Sequence, residues 1–189
     1  IFNSIMGTLN NFKYKKIKDF LTKEEKDLLK LYCKFKHLNN TTNFDNNSKV
    51  TNLDTVFQYD EIFESLLINK KSKIEDLTKL QLLPTYSYWR MYTYQSELLF
   101  HKDREACEIS VTVAIDSDGS NWPIIIDEEE IHLFPGDGLI YLGREFSHGR
   151  QKLQGNYHTQ CFLHYVDANG PYKNFELDGR AHHCQKNDK

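Results

Sequence analysis

Between Tyr86 and Asp167 the sequence breaks into short apolar and aromatic segments, of which YSYWRMYTY and EISVTVAID alternate clearly. The segments are YSYWRMYTY (86–94), EISVTVAID (108–116), WPIII (122–126), EEIHLF (129–134), GLIYLG (138–143) and YHTQCFLHYVD (157–167). A period of two is what a strand shows when one of its faces is buried, and a helix cannot bury such a pattern. Turns bearing Asp, Gly and Pro separate the segments. Strands this short and this closely spaced point to a sandwich or a barrel. In EISVTVAID, Ile109, Val111, Val113 and Ile115 share one face, and Ser110, Thr112 and Ala114 share the other.

Upstream the period changes. LTKEEKDLLKLYCKF (21–35) opens with Thr22 and Glu25 at capping-box spacing, and Leu28, Leu29, Leu31, Tyr32 and Phe35 follow as one apolar stripe. A second helical pattern spans 60–83 through Ile62, Phe63, Leu66 and Leu67. The Asn-, Thr- and Ser-rich stretch 37–52 reads as a surface loop. The expected organisation is one α+β domain over 1–189: helical support in 1–83, a β core in 84–167, and a polar, loosely held tail in 168–189.

The chain's 39% hydrophobic and 27% charged residues suit a globular fold. With a net charge of −3 and scattered Lys and Arg, no basic face is expected, so neither nucleic acid nor a membrane is an expected partner. Cys33, Cys107, Cys161 and Cys184 show no CxxC spacing, which reads as a reduced, cytoplasmic chain.

Against this frame, LLFHKDREACEISVTVAID (98–116) places His101 and Asp103 at the mouth of the alternating strand. Residues i and i+2 of a strand project the same way, so this imidazole and carboxylate can converge on one ion. In a jelly-roll (double-stranded β-helix, cupin-like) core, two imidazoles and one carboxylate on one face of Fe(II) leave positions open for cosubstrate and O2. The third ligand must come from a later strand. Of His132, His148, His158 and His164, His148 is favoured, because it follows a Pro-Gly-Asp-Gly turn and an apolar strand and so stands near a strand end. His182, His183 and Cys184 cluster only on the polar tail and are set aside.

YWRMYTYQSELLFHKD, HLFPGDGLIYLGREFSHGR and GNYHTQCFLHYVD, in that order, resemble the iron(II)- and 2-oxoglutarate-dependent dioxygenases, in particular the prolyl-4-hydroxylase-like branch. The resemblance runs from Pro84 to Asp167. It implies that His101, Asp103 and His148 are the catalytic iron ligands, with 2-oxoglutarate as cosubstrate and a peptide or small molecule as acceptor. Where such enzymes carry a Lys or Arg beyond the distal histidine, this chain has His158, on one strand face with Gln160, Phe162 and His164. A neutral His158 offers a single donor, so Gln160, Arg150 or Tyr92 must help hold the distal carboxylate, and His158 would gain a charge towards pH 6. Arg104 and Glu105 follow the metal motif at the barrel mouth, where they either meet substrate or form a surface ion pair. Specificity is expected in loops 37–52, 95–100 and 117–121. Two other readings share the fold: a non-catalytic jelly-roll binding module, and a cupin-type metal oxygenase that does not use 2-oxoglutarate.

Overall fold

The computed structural model describes residues 13–44 and 54–180. The cluster His182, His183 and Cys184 lies outside the described residues, as does the second half of loop 37–52. The strands are β1 (Tyr14–Ile17), β2 (Thr55–Gln58), β3 (Leu82–Thr93), β4 (Leu98–His101), β5 (Ile109–Ser117), β6 (Ile124–Ile126), β7 (Glu129–Ile131), β8 (Gly138–Tyr141), β9 (His148–Arg150) and β10 (Tyr157–Asp167). Two helices, α1 (Lys23–Leu38) and α2 (Glu61–Thr78), precede β3. The strands form a six-stranded sheet in the order β1-β8-β5-β10-β3-β2 and a four-stranded sheet in the order β4-β9-β6-β7. Every named pairing is antiparallel. This is a jelly-roll with helices supporting it.

The two faces of β5 divide as its alternation predicts. Ile109, Val111, Val113 and Ile115 join Trp89, Cys161, Leu163 and Tyr165 from the neighbouring strands in one core with Phe63, Leu67 and Ile74 of α2. The opposite face carries Ser110 and Thr112, whose hydroxyls bond to Asp103 and Gln160. Residues 1–83 are not purely helical, since β1 pairs with β8 and β2 pairs with β3. Strand β3 also starts ahead of Pro84. Proline has no N–H to give the ladder, and the β3–β10 register shifts between His164 and Tyr165, opposite this position.

Helix α1 differs from the expected stripe. Its capping box forms, with Thr22 Oγ1 accepting from the Glu25 N–H and Glu25 Oε2 accepting from the Thr22 N–H. Yet only Leu29 and Cys33 are buried, and Leu28, Leu31 and Phe35 are each more than half exposed. The helix rests on the sheet over a narrow line because α2 takes the larger share of that face, burying Phe63, Leu66, Leu67, Lys70 and Ile74. Nor is the chain loose directly after β10. A 3-10 segment at Lys173–Gly179 packs near β3, and Arg180 Nη2 donates to Glu64 Oε2 at 2.7 Å and to the Thr85 carbonyl at 3.0 Å.

Asp60 ties the helical layer to the sheet. It caps α2 by accepting from the Ile62 N–H, and it also accepts from the Tyr32 hydroxyl of α1 at 2.7 Å and from Trp89 Nε1 of β3 at 3.3 Å. Asp60→Ala removes a helix cap and leaves the buried Trp89 Nε1–H and the half-buried Tyr32 hydroxyl without this acceptor. We expect a loss of roughly 2–3 kcal/mol in urea unfolding, with a smaller loss for Asp60→Asn, which retains an acceptor oxygen.

Candidate functional site

The register of the small sheet builds the site. In the antiparallel β4–β9 ladder His101 is the direct partner of His148, and the imidazole centroids lie 4.5 Å apart. Beyond β4 the chain turns, and the Asp103 N–H donates to the Gly143 carbonyl at 2.9 Å, which holds the carboxylate below the two rings. His101 Nε2 lies 3.4 Å and His148 Nε2 3.6 Å from the same oxygen, Asp103 Oδ1. His101 Nδ1 bonds the Leu99 carbonyl at 2.8 Å, and His148 Nδ1 bonds the Phe146 carbonyl at 3.1 Å. A carbonyl only accepts, so each Nδ1 carries the proton and each Nε2 presents its lone pair to the common point. Metal-binding histidines are oriented in this way by an outer carbonyl.

Three donor atoms of types N, N and O lying within 4.8 Å of one another suit a divalent first-row ion with open positions. The other carboxylate oxygen, Asp103 Oδ2, accepts from Ser110 Oγ at 3.2 Å, and Ser110 Oγ contacts His164 Nδ1 at 3.0 Å. Burial alone would raise the Asp103 carboxyl, but once the adjacent imidazoles take up a second proton in acid, the bond from His101 and the charges of His148 and His164 outweigh it. The group is held well below the ordinary carboxylate range and is anionic, as a ligand requires.

A cavity of about 470 Å³ opens beside these residues. Arg150, two residues after His148 and on the same strand face, lines it. Its Nη1 donates to the Trp122 carbonyl at 2.6 Å, its guanidinium lies 4.6 Å from the Trp122 ring centroid, and its buried Nη2 has no partner among the described residues. Burial lowers Arg150 to about 10, which leaves it charged at neutral pH.

His158, Gln160 and Tyr92 are not among the residues lining this cavity. The Gln160 amide donates to His158 Nε2 at 2.6 Å and Gln160 Oε1 accepts from Thr112, so that amide is engaged at both ends. His158 is pushed down to about 3 by burial and by the nearby charge of Arg150, so it gains no charge near pH 6. The Tyr92 hydroxyl accepts from Arg90 Nη1 at 3.2 Å. Sequence reasoning gave no role to Tyr88 and Arg90, which do line the cavity. A signal was there: they occupy alternate positions of YSYWRMYTY, and Arg90 is a charge among aromatics.

Solved structures resemble this one in fold. A prolyl-4-hydroxylase from Pseudomonas putida superposes with a TM-score of 0.63 at 13% identity, covering 82% of this chain and 94% of that one. The non-heme α-ketoglutarate-dependent epimerase SnoN from nogalamycin biosynthesis gives 0.70 at 11% identity, covering 85% and 80%. HygX from Streptomyces hygroscopicus, solved with nickel and 2-oxoglutarate bound, gives 0.64 at 10% identity, covering 85% of each chain. The fold is that of the 2OG-Fe(II) oxygenases. No protein-family model matches the chain, and no curated protein matches it in sequence.

The depressed His158 has a consequence for stability. Its folded value lies below the unfolded one, so between about pH 6.5 and 3 the unfolded chain binds more protons and stability falls as pH falls. Urea unfolding from pH 7 to 4 is expected to show this decline, with a shallower slope in His158→Gln.

Proposed function

We propose that this chain is an Fe(II)- and 2-oxoglutarate-dependent oxygenase in which His101, Asp103 and His148 hold the metal. The observation that carries the reading is the convergence of both histidine Nε2 atoms on Asp103 Oδ1 beside a buried guanidinium whose Nη2 has no partner among the described residues. When bound, the iron would supply the oxidising chemistry, using O2 and the decarboxylation of 2-oxoglutarate to succinate to oxidise a C–H bond. The remaining work falls to the protein. The carbonyls of Leu99 and Phe146 fix the two rings, and Ser110 engages the second oxygen of Asp103, leaving Oδ1 to face the metal.

Arg150 is the group we assign to the distal carboxylate of 2-oxoglutarate. A buried charge without a counter-ion is strongly penalised, and a carboxylate seated there would satisfy Nη2 with a charge-assisted bond. Tyr88, Tyr141 and Phe162 supply aromatic walls that exclude water. The acceptor, a peptide or a small molecule, would enter past Gln58, Tyr59, Tyr86 and Arg104 at the other end of the cavity. The likeness to the Pseudomonas prolyl-4-hydroxylase supports a hydroxylation reaction. A pure binding module has no use for a converging triad, and Arg150 speaks against an oxygenase that does without a keto acid.

Succinate release from 2-oxoglutarate with Fe(II), screened over an acceptor panel, tests the reaction class. Activity should vanish in His101→Ala, and persistence there would exclude this metal site. Arg150→Ala should raise KM for 2-oxoglutarate roughly ten- to a hundredfold, more than His158→Ala does, and the gap should not close towards pH 6. Metal affinity offers a separate check through Gly143, where a Cβ would overlap Asp103 Oδ2 and crowd Ser110 Oγ. Gly143→Ala should weaken Mn(II) binding by about tenfold or more in calorimetry.

A further inference from the structure

Beside the cavity, a carboxylate that the chain itself provides engages Arg104 and Tyr59, two of the lining residues. Arg104, next to Asp103, makes a two-pronged pair with Asp178, Nη1 to Oδ1 at 2.8 Å and Nη2 to Oδ2 at 2.7 Å. The Tyr59 hydroxyl donates to the same Oδ2 at 3.0 Å. The Arg104 guanidinium lies 4.6 Å from the Tyr86 ring centroid, which aims its fork, and the Arg180 guanidinium lies 4.2 Å from the Tyr59 centroid. Tyr59, Tyr86 and Arg104 all line the cavity that holds the triad.

Two features set this arrangement apart from a surface ion pair. Asp178 is delivered by a run of left-handed residues, Leu177 (φ 49°), Asp178 (φ 54°) and Gly179 (φ 73°), a region that side-chain-bearing residues avoid. The segment also has a separate anchor in Arg180, bonded to Glu64 and Thr85, so Asp178 can leave Arg104 without releasing it. In addition, the cavity lining contains Arg90, Arg104 and Arg150 against the single acid Asp103. Asp178 balances Arg104 in this arrangement, so a guest that replaces Asp178 there must be anionic to keep the charge compensated.

We infer that Arg104 and Tyr59 form a carboxylate subsite at the cavity mouth, that the acceptor substrate bears a carboxylate, and that Asp178 occupies the subsite until the acceptor displaces it. The substrate assignment rests on the oxygenase reading; the subsite does not. A planar fork that matches a carboxylate in two bonds discriminates acid from amide, because an amide presents one acceptor and one clashing donor. The oxidised carbon then lies at a fixed offset from that acid group, between Arg104 and the metal.

The test uses the full chain in excess 2-oxoglutarate, titrated calorimetrically with N-acetylglycine and, as the matched neutral probe, N-acetylglycinamide. Asp178→Asn retains the shape but vacates the charge, and it should bind N-acetylglycine at least tenfold more tightly than the parent while ignoring the amide. Adding Arg104→Gln should abolish the gain, which separates this site from Arg150. Asp178→Ala, which removes the side-chain amide as well, should bind at least as tightly as Asp178→Asn. Equal affinity of parent and both Asp178 variants, or a gain indifferent to Arg104→Gln, overturns the subsite.

In turnover, acids should stimulate succinate release where their amides do not, and Arg104→Gln should raise KM for the acceptor with KM for 2-oxoglutarate unchanged. Equal stimulation by acids and amides overturns the substrate assignment. Probe binding by Asp178→Asn without succinate from any acceptor would support the subsite and retire the oxygenase reading.

Discussion

A single antiparallel pairing governs the site: His101 faces His148 across the β4–β9 ladder. Because side chains alternate along a strand, a slip of one residue there would turn one imidazole to the opposite face and separate the donors. The small sheet is held on its other side by β6, whose Ile126 pairs with His148 and whose Ile124 and Ile126 pack with Leu139 and Tyr141. The ladder bonds set the register and the apolar contacts behind it keep that register from sliding.

The larger sheet supplies the complementary constraint. Its outward face carries the apolar load against α2, and its inward face is free to be polar. That freedom is used heavily. Ser110, Thr112, Gln160 and His164 are all buried, and all find partners in one another or in Asp103. Buried polar groups are costly unless hydrogen-bonded; the Ser110 hydroxyl that contacts His164 Nδ1 also engages Asp103 Oδ2, while His164 Nε2 has no partner among the described residues.

Much of this is legible in the sequence, because it depends on strand periodicity. The two faces of EISVTVAID and the closing strand over Tyr157–Asp167 follow from a period of two, whereas Asp103 lies past the end of β4 and meets His101 through a turn held by Gly143 rather than through strand alternation. What escaped depends on contacts between distant segments. Sequence spacing gave His158 a role at the distal carboxylate, whereas in the structure it packs against Trp122 and Gln160 and is not among the residues lining the cavity, since what a strand residue reaches depends on the neighbouring strand. The apolar stripe of α1 was visible, but how much of it α2 leaves room to bury was not. The docking of residues after Asp167 turns on Arg104 and Arg180 finding Asp178 and Glu64, and no local pattern encodes such pairs.

Glu25 closes the capping box of α1 and at the same time accepts Lys70 of α2 through both carboxylate oxygens, at 2.8 and 2.6 Å. A helix of 16 residues is marginal in water by itself, and here its first turn is fastened to its neighbour by the very group that caps it. Fraying of α1 from its N-terminus therefore also strips a buried lysine of α2 of its counter-ion. The two helices form one cooperative opening unit, and amide exchange along α1 and α2 should share a common free energy even though α1 buries only two of its side chains.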